Sequence, residues 1–248
     1  MSGFGQTIQN YKKLKAKLKM QKYSGALISL EGISGVGKSY FGKIVTKKLQ
    51  KLDYKITLVS DLYDYNSDDI GRRILDILLS TNDKFFRIGY PVVEALLLSA
   101  MKFYEIEKWI IPALKDAQIV IEDRSVDSVA IYSAILINQQ FPEKDILETY
   151  DQLYDIRKQW GILPDLTIYM KDDFDTALHR AELRNQEKYK KDEVNLLIKV
   201  SEIYDIIAQK HKNRIKVFDT TNLSTAKIVK ELIHLCLQQI KYKDNDAN

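Results

Sequence analysis

Along most of the chain, short apolar runs alternate with longer stretches in which apolar residues recur every three to four positions. Residues 26–30, 55–60, 118–121, 166–170 and 215–218 read as strands, each short and rich in Ile, Leu or Val. Residues 38–51, 69–79, 92–116, 126–138, 145–159, 175–183, 193–211 and 224–241 carry helical spacing. Asp173 and Ser224 stand at N-cap positions, and Pro91 precedes a helix start. Strands separated each time by one or two helices predict an α/β fold, a doubly wound five-stranded parallel sheet, filling one domain over residues 25–242. In such a sheet the ligand lies beyond the carboxyl ends of the strands.

The chemistry is announced directly after the first strand. Gly32-Ile33-Ser34-Gly35-Val36-Gly37-Lys38-Ser39, with Tyr40 next, joins a predicted strand to a predicted helix. A glycine-rich turn there aims backbone N–H groups at a phosphate, aided by the helix N-terminus. Lys38 is placed to reach the β- and γ-phosphates, and the Ser39 hydroxyl to hold Mg²⁺. This is a P-loop, and ATP with Mg²⁺ is its expected ligand.

The third strand runs into Glu122-Asp123-Arg124. A carboxylate at that point lies beside the P-loop strand and is a second candidate Mg²⁺ ligand, while Arg124 offers a fork to a phosphoryl group in transfer. The alternative role for Asp123 is to cap the helix that starts near Val126. Arg180 and Arg184 lie four apart on one predicted face, followed by a lysine-rich segment, so a basic lid over about 180–192 is expected.

Composition adds limits. The 248 residues are 45% hydrophobic and 29% charged, which is ordinary for a globular domain. The single cysteine, Cys236, excludes an internal disulfide and reads as a buried structural thiol. No apolar run approaches a membrane span, and the start is not a signal peptide, so a cytoplasmic location is expected. Of the net charge of +4, residues 1–24 hold six lysines and no acid, leaving −2 for the remainder. Ile8, Tyr11, Leu14 and Leu18 recur at helical spacing within that arm, which favours a basic N-terminal helix with a packed stripe over a nucleic-acid-binding arm. Residues 243–248 read as a polar tail.

With these residues in view, the chain resembles the thymidylate kinase family, within a wider group that includes deoxynucleoside kinases. The resemblance runs from about residue 26 to 235. It rests on Leu30-Glu31 and the P-loop, on 70–79, on Glu94-Ala95-Leu96-Leu97-Leu98-Ser99-Ala100, on 110–114, on Leu163-Pro164-Asp165, and on Ala177-Leu178-His179-Arg180. Its most specific part is Asp123-Arg124-Ser125-Val126-Asp127-Ser128, followed by Tyr132. The resemblance implies that Lys38, Asp123 and Arg124 work at the transferred phosphoryl group and that Arg180 and Arg184 belong to the lid. It implies that Leu98, Lys102, Asp127, Ser128 and Tyr132 line the acceptor pocket. It also implies a homodimer, and in deoxynucleoside kinases a glutamate at the position of Glu31 looks like the general base.

The departures fall on the acceptor side. Ser60-Asp61-Leu62-Tyr63-Asp64-Tyr65 stands where the family has an Arg-Glu-Pro motif, and no arginine occurs between Lys55 and Arg72. Leu98 replaces a base-stacking aromatic, Lys102 an arginine, and Ser34 an acidic residue. Lysine lacks the planar fork and the stacking face of arginine. Three readings follow. The first is a kinase of a dTMP-like nucleoside monophosphate, with Lys102 or Arg72 holding the acceptor phosphate and weak turnover of dTMP itself. The second is a kinase of a nucleoside or other small hydroxyl acceptor with Glu31 as base. The third is an ATP-binding switch without transfer, against which Asp123, Arg124 and the lid arginines argue.

Overall fold

The five apolar runs pair in parallel in the order β2-β3-β1-β4-β5, with β1 Ala26–Glu31, β2 Ile56–Val59, β3 Ile119–Asp123, β4 Leu166–Lys171 and β5 Ile215–Asp219. A computed structural model describes residues 23–60, 69–116 and 118–247. The basic arm and the Asp61–Asp64 stretch lie outside the described residues. Every residue of β1 and β3 is buried, as central strands covered on both faces require, whereas β5 at the edge buries only Ile215.

Nine α-helices of the described residues complete the fold: α1 Lys38–Gln50, α2 Ile70–Leu78, α3 Pro91–Glu105, α4 Ile111–Lys115, α5 Val126–Gln140, α6 Ile146–Trp160, α7 Phe174–Asn185, α8 Lys191–Lys210 and α9 Thr225–Ala247. Leu27, Val59 and Val120 pack against Ile106, Ile110 and Leu114 on one side of the sheet. Ile28, Leu30 and Ile121 join the main core with Phe41, Val45 and Leu49 of α1. Cys236 of α9 is buried there, and burial pushes its thiol up to about 12. Among the described residues no helix is long and apolar enough to cross a membrane.

Several boundaries depart from the sequence pattern for identifiable reasons. The expected helix over 92–116 is two helices joined by a π-turn at Ile106–Ile110. Pro112 has no N–H and its ring would meet the carbonyl four residues back, and the widened turn absorbs that clash. At the C-terminus α9 continues to Ala247, past the expected stop at residue 241 and through most of the expected tail. Lys243 anchors the last turns: its ammonium donates to the Gly25 carbonyl at 2.9 Å and pairs with Asp165 at 2.7 Å. The caps at α7 and α9 match expectation, with Asp173 accepting from the Thr176 N–H and Ser224 from the Lys227 N–H.

Candidate active site

The parallel register places the ends of β1 and β3 side by side, Leu30 opposite Asp123. From β1 the chain turns through the P-loop into α1. Gly35 and Gly37 take φ of 89° and 94°, the left-handed region that favours glycine. A Cβ on Gly35 would lie 1.8 Å from the Ala177 carbonyl oxygen in α7, so packing as well as torsion demands glycine there. The Lys38 ammonium donates to the Ile33 carbonyl at 2.8 Å, and the Ser39 hydroxyl donates to Asp123 Oδ2 at 2.5 Å. Two hard oxygen ligands thus meet at the start of α1, beside the loop's own phosphate cradle. That is a donor set suited to a magnesium ion completed by water and phosphate oxygens.

Arg124 follows with φ 62°, uncommon for a residue with a side chain. The twist turns its guanidinium back across the sheet edge, where it donates to the Gly32 carbonyl at 3.1 Å and to Ser128 Oγ at 3.2 Å. It also lies over the Tyr132 ring, 5.7 Å from the centroid. Tyr132 on α5 has its phenol pushed up by burial.

These groups border a cavity of about 1210 Å³. Of the residues expected at the site, Ser34, Gly35, Gly37, Lys38, Ser39 and Tyr40 line its nucleotide wall together with Arg124, Arg180 and Arg184. Leu98, Lys102, Ser128 and Tyr132, from α3 and α5, line a second wall, which meets the first where Arg124 touches Ser128. Gly32, Ile33 and Val36 form the loop without lining the cavity; Ile33 and Val36 pack into the core. Asp123 is buried behind Ser39. At the lid, Arg180 pairs with Asp172 at 2.5 Å, and Arg184 reaches Ser34 Oγ at 3.4 Å.

Three expected placements are corrected. Glu31 is 0% exposed and does not line the cavity. Its carboxylate accepts from the N–H groups of Ser125 at 2.7 Å and Ser128 at 3.3 Å, from the Ser128 hydroxyl, and from the Tyr204 hydroxyl at 2.8 Å. Glu31 therefore caps α5 from another element, which is the role that Asp123 was the candidate for, and which leaves Asp123 to Ser39. Burial and the nearby Asp127 raise its pKa. Asp127 is also 0% exposed, and turns away from the cavity to a two-pronged contact with Arg214 at 2.8 Å and to the Tyr150 hydroxyl at 2.9 Å. It ties α5 to the chain entering β5. Arg72 sits on the outer side of α2, paired with Asp76 at 2.8 Å, and does not line the cavity. Lys102 does line it, but is only 3% exposed, with Glu105 at 2.8 Å and Glu122 at 3.7 Å.

Sequence reasoning passed over the loop between α2 and α3. Lys84, Phe85 and Phe86 border the cavity there. The loop is joined to the lid across the cavity mouth. Lys84 pairs with Glu187 at 3.0 Å, Arg87 with Asp192 at 2.9 Å, and the Phe85 ring meets Tyr189 at 6.1 Å. The available signal was the Phe85-Phe86 pair itself, two adjacent aromatics in the connection between α2 and α3.

A P-loop with its serine set against a strand-end aspartate, an arginine hooked over the loop and a lid with two more define a P-loop kinase, a phosphotransferase. The comparisons with known proteins narrow the class. The family model described as thymidylate kinase matches residues 30–233. A thymidylate kinase of Mesoplasma florum is 30% identical over 224 residues, covering 86% of this chain and 96% of its own. One from a Thermoanaerobacter species is 29% identical over 195 residues, covering 79% and 89%. A crystal structure of thymidylate kinase from Ehrlichia chaffeensis superposes with a TM-score of 0.58 at 22% identity, over 86% of this chain and 98% of that one, a likeness of fold. The chain belongs to the thymidylate kinase family.

Proposed function

We propose that the protein transfers the γ-phosphoryl group of MgATP to the phosphate of a dTMP-like nucleoside monophosphate. The observation that carries the reading is the meeting of Lys38, the Ser39–Asp123 contact and Arg124 beside a cavity that Phe85, Leu98 and Tyr132 line together with Lys102 and Ser128. In this reading the P-loop N–H groups hold the ATP phosphates, with Ser39 and Asp123 as ligands for magnesium. The ion, when bound, would neutralise charge on the β- and γ-phosphate oxygens. An acceptor oxygen lying in line attacks the γ-phosphorus, the bond to the β-bridging oxygen breaks, and ADP leaves with that electron pair. Lys38, Arg124, Arg180 and Arg184 spread the charge on the transferred group.

A phosphate acceptor is largely ionised at neutral pH, its second pKa being about 6. Such a reaction needs no general base, which agrees with Glu31 spending its oxygens on α5. A hydroxyl acceptor would need one. Lys84, Lys102 and Arg124 line the cavity and would be the cations available to an acceptor phosphate. A homodimer and a cytoplasmic location go with the same reading.

The test is an ATP-consumption screen over nucleosides, nucleoside monophosphates and unrelated hydroxyl compounds. Stimulation by dTMP or another monophosphate is the expected result. Stimulation by hydroxyl acceptors alone would return the weight to the second reading. Hydrolysis that no acceptor accelerates would favour an ATP-binding switch.

A further inference from the structure

We infer that Phe85, together with Tyr132, grips the planar base of the acceptor, a specificity role that the long helix has given up. This deepens the proposed function and rests on it. Leu98, at the corresponding place on α3, is aliphatic and cannot offer a stacking face, yet it lines the same cavity as Phe85 and Tyr132. The two rings stand nearly parallel, with centroids 6.0 Å apart and planes 23° from parallel. At that spacing the rings are in ordinary contact with each other, so a base would enter by parting them and taking the face that each now offers the other.

The loop that carries Phe85 is built to hold it. Asp83 Oδ1 accepts from the N–H groups of Phe85 at 2.8 Å and Arg87 at 3.2 Å. Glu94, on the first turn of α3, accepts from the N–H groups of Ile88 at 2.6 Å and Tyr90 at 3.0 Å. Between these staples Phe86 is forced to φ 60°, a left-handed torsion that a bulky side chain resists. Such strain persists only where surrounding bonds over-determine it, and here it sets an aromatic pair into the cavity wall. Tyr189 backs Phe85 from the lid side, and the Lys84 ammonium lies 4.8 Å from the Tyr189 centroid. The lid segment thus touches the ring that would hold the base. The γ-phosphoryl end of the cavity is the business of Arg124 and Lys38, so removing the Phe85 ring should affect acceptor binding without touching ATP.

The experiment compares wild type with Phe85→Leu and Phe85→Trp, using dTMP as acceptor and 2-deoxyribose 5-phosphate as a base-free competitor. Phe85→Leu is expected to raise the KM for dTMP about tenfold, the loss of one base–aromatic stack, while the KM for ATP and the inhibition constant of the sugar phosphate stay within twofold. Phe85→Trp should keep the wild-type KM, and its introduced indole should be quenched by dTMP and not by the sugar phosphate. Circular dichroism checks that both variants fold. If Phe85→Leu folds and leaves the KM for dTMP unchanged, or weakens dTMP and the sugar phosphate equally, the inference is overturned. So is it if dTMP leaves the indole unquenched. If wild type turns over no nucleoside monophosphate, the proposed function falls first and takes this inference with it.

Discussion

The two walls of the cavity are built by different means. The nucleotide wall hangs on backbone geometry: a loop with glycines in left-handed torsions, a helix start, and Arg124 in a left-handed turn at a strand end set where its side chains stand. Its polar groups are spaced by covalent geometry and by the register of β1 against β3. The acceptor wall is mostly side chains drawn from α3, α5, the α2–α3 loop and the lid. Backbone-built sites tolerate little change, because a phosphate cradle has few geometric solutions. A wall made of side chains is altered one residue at a time. Leu98 and Lys102 on this wall, where the resemblance leads one to expect an aromatic and an arginine, illustrate that freedom.

The sharpest way to break the contrast is at the nucleotide wall. Lys38→Ala or Asp123→Ala is expected to lower kcat about a thousandfold or more with the circular dichroism spectrum unchanged. Wild-type turnover in either variant would mean that the cradle is not the transfer site.

Next comes Glu31, which lies behind both walls. As the organiser of the α5 N-terminus, Glu31→Gln should cost about 1–3 kcal/mol of stability by denaturant unfolding, since donors that now meet an acceptor would face an amide. A loss confined to kcat, with stability intact and a carboxylate titration missing from the pH profile, would instead make Glu31 a base.

The junction between the walls should give a smaller effect. Arg87 pairs with Asp83 at 2.8 Å and with Asp192 at 2.9 Å, joining the acceptor loop to the lid. Arg87→Ala is expected to raise the KM of both substrates a few-fold, with about 1 kcal/mol of lost stability, mostly from the half-buried pair with Asp83, since the bridge to Asp192 is largely solvated. An effect on the acceptor alone would show that the lid closes independently of the loop.

The smallest effect lies outside both walls and serves as a control. His211, stacked on Tyr154 at 4.8 Å, has its pKa lowered by burial and then by Arg214. Below the ordinary histidine pKa of about 6.5 the unfolded chain binds a proton that the folded chain refuses, so stability contributed above that pH is lost as pH falls. His211→Gln should flatten the fall of Tm between pH 6.5 and 5 while leaving kcat/KM unaltered. An identical Tm profile would mean that the ring is protonated in place.

Reading the chain in order was enough for the sheet to be placed and for the P-loop, Asp123, Arg124, Arg180 and Arg184 to be named as candidates. Their evidence is local: period, glycine spacing, and position at the end of a strand. The directions of Glu31 and Asp127 were not legible that way. Both are carboxylates beside the site in sequence, and both are spent on helix α5. One accepts its N-terminal N–H groups, and the other binds Arg214 from 87 residues away. Which way such a side chain points depends on strand twist and on partners far along the chain.

The sequence by itself determined the fold class and the nucleotide end of the site, because a phosphate cradle is a property of a few consecutive residues and their torsions. Only the tertiary structure decided which carboxylates are structural, which lysine faces the cavity, and that Phe85 stands across from Tyr132. Those are matters of long-range packing, where residues distant in the chain compete for the same few ångströms.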